Sequence, residues 1–278
     1  MNLNGKNVLV VGCGISGIGS TKLLEKVGAN PVLFDENKKV DPEAVRGRFG
    51  EETKADIVIG DLPKEIEEKI ELVVLSPGVP SDTSFADSFR NRNISVIGEI
   101  ELAYLCAKGE ILAITGTNGK TTTTALCGKI VEEYFTSSFI VGNIGNPYTD
   151  AALQMTEETV TVAEISSFQL ETIEEFHPKV CAILNITEDH LDRHHTMENY
   201  VATKQNITKN QTDEDICVLN YEDPYTADFM GKCPSKVVVF SSARKLENGY
   251  FLDGEEIIFG KYYKSQLNTS SLYFNEYI

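Results

Sequence analysis

The 278 residues are 41% hydrophobic and 24% charged, ordinary globular composition with room for about two domains. No apolar run approaches the length of ~18 residues that a membrane span needs, and the start lacks a basic flank and long apolar core, so a soluble, cytoplasmic chain is expected. With 42 acidic against 25 basic residues the net charge is -17, which argues against non-specific nucleic-acid binding and leaves anionic ligands to local cradles of backbone N–H groups.

Short apolar runs alternate with helical stretches along the first hundred residues. NVLVVG from Asn7, PVLFDE from Pro31, DIVIG from Asp56, LVVLSPG from Leu72 and ISVIG from Ile94 read as strands. Continuous apolar strands separated by helices predict a Rossmann-like parallel sheet covered on both faces. The pattern changes near Gly98, where EIELAYLCAKG reads as a helix leading into a new strand, ILAITG. A second α/β unit follows, with strands SFIVGN, TVTVAEIS, KVCAILNI, DICVLN and KVVVFSS. The division expected is a first domain over 1–97 and a second over 98–278, with a small hairpin from Gly249 and a tail of no clear period from about 260. Six cysteines carry no C-x-x-C pair, so neither a zinc site nor a disulfide framework is indicated. The N-x-S/T sequons at Asn93, Asn185, Asn206, Asn210 and Asn268 carry no weight without secretion.

Gly12-Cys-Gly14-Ile-Ser-Gly17 fits G-x-G-x-x-G between a strand and a helix, and Asp35 ends the second strand where a dinucleotide fold places its ribose acid. Glycines admit a pyrophosphate to the backbone, and the helix N-terminus adds positive potential. NAD binding is one reading and another diphosphate, such as that of a UDP-sugar, fits equally; tight strand–helix packing is the plain alternative. Ser76-Pro77-Gly78 ends the fourth strand at the carboxyl edge where such folds bind ligands, although a stiff turn alone also accounts for it.

Thr115-Gly-Thr-Asn-Gly119-Lys120-Thr121-Thr122 has the parts of a P-loop, although Ile114 stands where the strict spacing has glycine. Backbone N–H groups from Gly116 through Thr117, Asn118, Gly119 and Thr122 would wrap ATP phosphates, Lys120 would reach the β- and γ-phosphates, and Thr121 would ligate magnesium. Glu164, at a strand end, is then a candidate second magnesium ligand, or else a helix-capping acid. Three of the four histidines lie in NITEDHLDRHH, which admits a metallohydrolase centre, a plain exposed loop, or a His190 that serves a second magnesium or the substrate.

GCGISG, LSPGVP, IGEIELAY, TGTNGKTTTT, GNIGNP, AEISSFQLET and LNITEDHLDRHHTMENYVATK, in this order, resemble the Mur ligase family of ATP-dependent amide-forming enzymes in peptidoglycan precursor synthesis. GISG and SPGVP are most similar to the branch that adds D-glutamate to UDP-N-acetylmuramoyl-L-alanine. The resemblance implies a first domain that binds a UDP-sugar and not NAD, with Gly14, Ile15, Ser16, Asp35, Ser76 and Gly78 near the uridine diphosphate and Asn143 and Ser166 lining the substrate. It implies ATP on Gly116–Thr122, one magnesium held by Thr121 and Glu164, a second served by His190, and catalytic roles for Lys120, His190 and Lys204, the last as a carbamate. A monomer with no nucleic-acid or membrane partner is expected. Members of the family continue through a C-terminal domain that nothing here matches, so weak ligation is expected of this chain. An NAD-dependent oxidoreductase and a non-catalytic UDP-sugar or ATP-binding module are the alternatives.

Overall fold

β-Branched runs separated by helices fold as parallel strands, because a crossover helix returns the chain to the same sheet edge. The computed structural model describes residues 1–50, 52–143 and 146–260, with the backbone of 263–268. Ile144 and Gly145 of GNIGNP, and the tail residues 261–262 and 269–278, lie outside the described residues. The chain divides into two compact units, 1–112 with 121–177 and 113–120 with 178–278.

In the first unit the elements run β1 (Asn7–Val11), α1 (Ile15–Lys26), β2 (Asn30–Asp35), α2 (Pro42–Gly47), β3 (Asp56–Ile59), α3 (Lys64–Glu67), β4 (Leu72–Leu75), α4 (Ser84–Arg90), β5 (Ser95–Gly98) and α5 (Glu99–Cys106). The five strands form one sheet of order β3-β2-β1-β4-β5, parallel throughout. Leu9, Val11, Phe34, Val73 and Phe89 build one core cluster of this unit, each buried side chain contributing about 1.5–3 kcal/mol of apolar transfer. The run from Asp56 is apolar along its length, yet β3 is only half-buried, because it sits at the sheet edge. Parallel pairing brings the carboxyl ends of β1, β2 and β4 side by side, so the Gly12–Gly17 and Ser76–Pro80 loops share one sheet edge.

β6 (Glu110–Thr115) follows, then α6 (Lys120–Tyr134), β7 (Ser138–Gly142), α7 (Tyr148–Ala151), β8 (Val160–Glu164) and α8 (Ser167–Leu170). β7 pairs in parallel with β8, bringing Gly142 opposite Glu164. Glu101 on α5 is fully buried and accepts the N–H groups of Glu174, Glu175 and Phe176 at 3.0, 2.7 and 3.0 Å. Burial pushes its carboxyl above the usual range, and those three donors oppose the shift.

The second unit holds β9 (Val180–Ile183), α9 (Leu191–His194), α10 (Met197–Gln205), β10 (Ile216–Asn220), α11 (Pro224–Phe229), β11 (Lys236–Ser241), β12 (Gly249–Asp253), β13 (Glu256–Gly260) and β14 (Tyr263–Asn268). Its order is β6-β9-β10-β11-β12-β13-β14, with β9 through β12 parallel and the last two pairings antiparallel. The hairpin expected from Gly249 is β12–β13, with Tyr250 against Phe259 at a ring separation of 4.7 Å. β14 adds a strand that the aperiodic tail did not announce. The architecture is α/β, built on parallel sheets. Among the described residues no helix is long and apolar enough to cross a membrane.

Candidate functional site

At the end of β1 the backbone turns at Gly12, where φ is +100°, a conformation that costs glycine least. A Cβ on Gly17 would lie 1.8 Å from the Gly12 carbonyl oxygen, and one on Gly12 would lie 2.9 Å from Ser76 Oγ. Packing alone therefore demands these two glycines. Gly14 and Gly78 differ, since a Cβ on either would meet nothing within 4 Å. Their bare backbone faces open space, where a ligand could approach.

The carboxylate of Asp35 accepts one backbone N–H on each oxygen. Its Oδ2 accepts the Cys13 N–H at 3.0 Å and its Oδ1 the Asn37 N–H at 3.0 Å, tying the end of β2 to the first loop. Ser76 Oγ donates to the Gly12 carbonyl at 3.3 Å, and Arg48, just past α2, donates to the Cys13 carbonyl at 3.0 Å. Beside this loop, within the first unit, lies a cavity of about 250 Å3. Ile15, Ser16 and Pro77 line it together with Glu99, Asn143 and Gln169.

Glu164 ends β8 and is 1% exposed. Thr121 Oγ1 donates to its Oε2 at 3.0 Å, and Asn143 Nδ2 donates to its Oε1 at 2.8 Å. Glu164 is no helix cap: Ser166 caps α8, its Oγ accepting the Gln169 N–H at 3.3 Å while its own N–H donates to Gln169 Oε1 at 2.8 Å. A hydroxyl and a carboxylate already within hydrogen-bond distance are a hard-oxygen donor pair of the kind magnesium takes. Among the described residues no group of three or more His, Cys, Asp or Glu side chains could hold a metal ion. An ion held by the Thr121–Glu164 pair would have to take its remaining ligands from phosphates and water, as magnesium commonly does.

In the second unit the loop after β6 is held from one side by Asn185. Asn185 accepts the Asn118 N–H at 2.8 Å through Oδ1 and donates from Nδ2 to the Asn118 carbonyl at 2.9 Å. Thr117 adds a bond from its Oγ1 to the Thr187 carbonyl at 3.1 Å and shares a hydrogen bond of 3.1 Å with the Tyr200 hydroxyl. Lys120 Nζ donates to the Thr117 carbonyl at 2.9 Å. Lys204, on α10, is 2% exposed; its Nζ donates to the Gly116 carbonyl at 2.8 Å and lies 4.7 Å from the centre of the Tyr200 ring. Burial, and then the nearby charge of Lys120, pull the Lys204 ammonium down to about 7, with Asp189 opposing. A lysine poised near neutrality presents a substantial fraction of free amine, the form that adds electrophiles.

Among the described residues the histidine loop contributes to no group of three or more side chains that could hold a metal ion. His190 is in the left-handed region with φ +52°, and its Nε2 lies 3.4 Å from Asp189 Oδ2. His194 is buried, its ring 5.0 Å from that of Tyr200. Asn185, Tyr200, Arg48 and the Glu99–Gln169 pair shape these loops without belonging to any spacing rule. Asn185 and Gln169 left a trace in the sequence, as polar residues that follow apolar runs.

Residues 6–98 match the Mur ligase MurD-like N-terminal domain and residues 114–270 the Mur ligase middle domain. The chain is 56% identical over 257 residues to the UDP-N-acetylmuramoylalanine--D-glutamate ligase of Lachnospira eligens, covering 92% of this chain and 57% of that protein. It is 52% identical over 259 residues to the ligase of the same name from Lachnoclostridium phytofermentans, covering 93% and 57%. The chain thus spans little more than half the length of these curated relatives. In fold it is similar to the murein peptide ligase of Psychrobacter arcticus, with a TM-score of 0.56 at 16% identity over 94% of this chain and 60% of that one. The corresponding Neisseria ligase gives 0.56 at 14% identity over 92% and 84%. With both domain matches falling in order on the loops just described, the chain belongs to the Mur ligase family.

Proposed function

We propose that this chain serves the ATP-dependent joining of D-glutamate to UDP-N-acetylmuramoyl-L-alanine, with a UDP-sugar-binding domain over 1–97 and an ATP-binding domain over 98–278. The observation that carries the reading is the hydrogen-bonded set Thr121–Glu164–Asn143, a hard-oxygen arrangement at the start of a helix that opens with Lys120. The curated relatives bear the name of that reaction. Gly14, Ile15, Ser16, Asp35, Ser76 and Gly78 would take the uridine diphosphate, Asn143 and Ser166 the sugar-peptide, and Gly116–Thr122 the ATP phosphates.

The L-alanyl carboxylate attacks the γ-phosphorus of ATP; the P–O bond to ADP breaks and an acyl phosphate forms. The D-glutamate amine then attacks the acyl carbon, inorganic phosphate leaves, and the amine gives up a proton. Phosphorylation is needed because a free carboxylate would have to expel oxide. Lys120 offsets the crowding of carboxylate against triphosphate, a preorganised electrostatic effect. Thr121 and Glu164 would hold a magnesium ion that would offset phosphate charge, and His190 and a carbamylated Lys204 are proposed to hold a second. The family's dependence on ATP makes magnesium–ATP the nucleotide expected. A cytoplasmic monomer completes the proposal.

Calorimetric titration with UDP-N-acetylmuramoyl-L-alanine, with NADH in parallel, tests it. Binding of the UDP-sugar alone supports the ligase reading. NADH binding without a UDP-sugar response would replace it with an oxidoreductase, and silence toward both would remove the first domain's assigned role.

A further inference from the structure

Glu99 is the first residue of α5, is 7% exposed, and lines the cavity beside the first glycine loop. Its Oε1 accepts a hydrogen bond of 2.7 Å from Gln169 Nε2. Gln169 is buried too, and its Oε1 receives both the Ser166 N–H at 2.8 Å and the Ser166 hydroxyl at 3.1 Å. The orientation of this carboxamide follows from the partners: the Ser166 N–H can only donate, so it must face Oε1, which turns Nε2 toward Glu99. Burying a carboxyl is costly without compensation. Here compensation comes from the donated bond and from the positive end of α5, while burial still raises the carboxyl's pKa above its ordinary value. No partner for Glu99 Oε2 is found among the described residues.

A deeply buried acid with one oxygen on a neighbour and the other unpaired at a cavity wall does more than pack. We propose that Glu99 is a positioning residue of this cavity, pinning Gln169 and through it Ser166, while Oε2 meets a hydroxyl or amide group of the sugar-peptide portion of a UDP-sugar. This inference rests on the ligand class proposed above. Without Glu99 the Gln169 carboxamide loses the acceptor of its Nε2 and is held only by its bonds from Ser166, which leaves the Ser166 hydroxyl less firmly directed.

The test is calorimetric titration of UDP-N-acetylmuramoyl-L-alanine into the wild-type chain and into E99M, E99Q, Q169M and the E99M/Q169M double variant, with magnesium–ADP titrated in parallel as a control for folding. Methionine keeps the volume and removes both acceptors; glutamine keeps an acceptor. The expected result is a loss of about tenfold in UDP-sugar affinity for E99M, from a buried donor left unpaired, with magnesium–ADP affinity unchanged and E99Q within about threefold of wild type. The double variant is expected to lose less than the sum of the E99M and Q169M losses, because both changes break the same bond between Glu99 and Gln169. E99M within about twofold of wild type would overturn this inference alone. Additive losses in the double variant would overturn the route through Gln169. No UDP-sugar binding by the wild-type chain would overturn both this inference and the ligand class beneath it.

Discussion

The two glycine loops look alike in sequence and are built on different principles. Each follows a parallel strand and opens a helix. The first is assembled by close fit: Gly17 against the Gly12 carbonyl, Gly12 against Ser76, and an acid, Asp35, holding the Cys13 N–H. The second is assembled around positive charge: Lys120 and Lys204 both donate to carbonyls of the loop itself, on Thr117 and Gly116. A glycine pattern reports only that the backbone turns tightly and can be approached. The side chains that stand around it decide which anion is worth approaching.

Removing the charge from the second loop should therefore give the largest effect and leave the first loop untouched. Lys120→Ala is expected to weaken magnesium–ATP binding by at least about a hundredfold, the loss of a charge-assisted phosphate contact. UDP-sugar affinity should stay at the wild-type value. Parallel titrations with both ligands measure this, and equal weakening of both would erase the contrast between the loops.

The converse change acts on fit. Gly17→Ala places a Cβ where the Gly12 carbonyl oxygen stands, 1.8 Å away. Backbone cannot rotate aside as a flexible side chain can, so an overpacking cost of about 2–3 kcal/mol is expected in urea unfolding, with loss of UDP-sugar binding. Gly14→Ala meets no atom within 4 Å and should cost little stability. If Gly14→Ala nevertheless weakens the UDP-sugar, the open backbone there is a ligand contact.

Much of this was legible beforehand, and the reasons differ by residue. Strands β1 through β11 stand where apolar runs predict them, because strands of a parallel sheet are rich in apolar residues, and β12–β13 is the hairpin expected from Gly249. Thr121 and Glu164 were proposed as partners from chemistry and do lie 3.0 Å apart, since both sit at element ends on one sheet edge. Asp35 was read as a ligand-binding acid and is found holding two backbone N–H groups, a use that spacing cannot reveal. Glu99 carries no role in the sequence reading, and Gln169 stands there only as a polar residue after a strand end, for a similar reason. They are seventy positions apart, and only the pairing of elements makes them neighbours. Lys204 was carried by resemblance alone, and what its surroundings do to its proton depends on burial that no motif encodes.

That burial gives the second loop a pH signature close to neutrality. Lys204 holds its proton only to about 7 in the folded chain, against an ordinary value of 10.5. Between these values the unfolded chain binds a proton that the folded chain does not, so raising the pH favours folding. Below pH 7 the cost of burying the ammonium is present in full. Relative to Lys204→Met, the wild-type chain should gain about 2 kcal/mol in unfolding free energy from pH 7 to 9, measured by urea titration in magnesium-free, carbon-dioxide-free buffer. Parallel curves for the two proteins would show that the amine is not the titrating group.

The smallest effect should come from Arg48, a cation that touches the first loop. Arg48 donates to the Cys13 carbonyl at 3.0 Å but is exposed, so water can replace much of that bond. Asp35 fixes the same residue from its N–H side. With one of two supports removed, Arg48→Met is expected to lower UDP-sugar affinity by about twofold to fivefold, within the range of a single solvent-accessible hydrogen bond. Asp35→Asn should cost more, because its carboxylate bridges two N–H groups and an amide nitrogen cannot accept in place of either oxygen. If instead Arg48→Met proved the more damaging by tenfold or more, the first loop would depend on positive charge as the second does, and fit would no longer separate them.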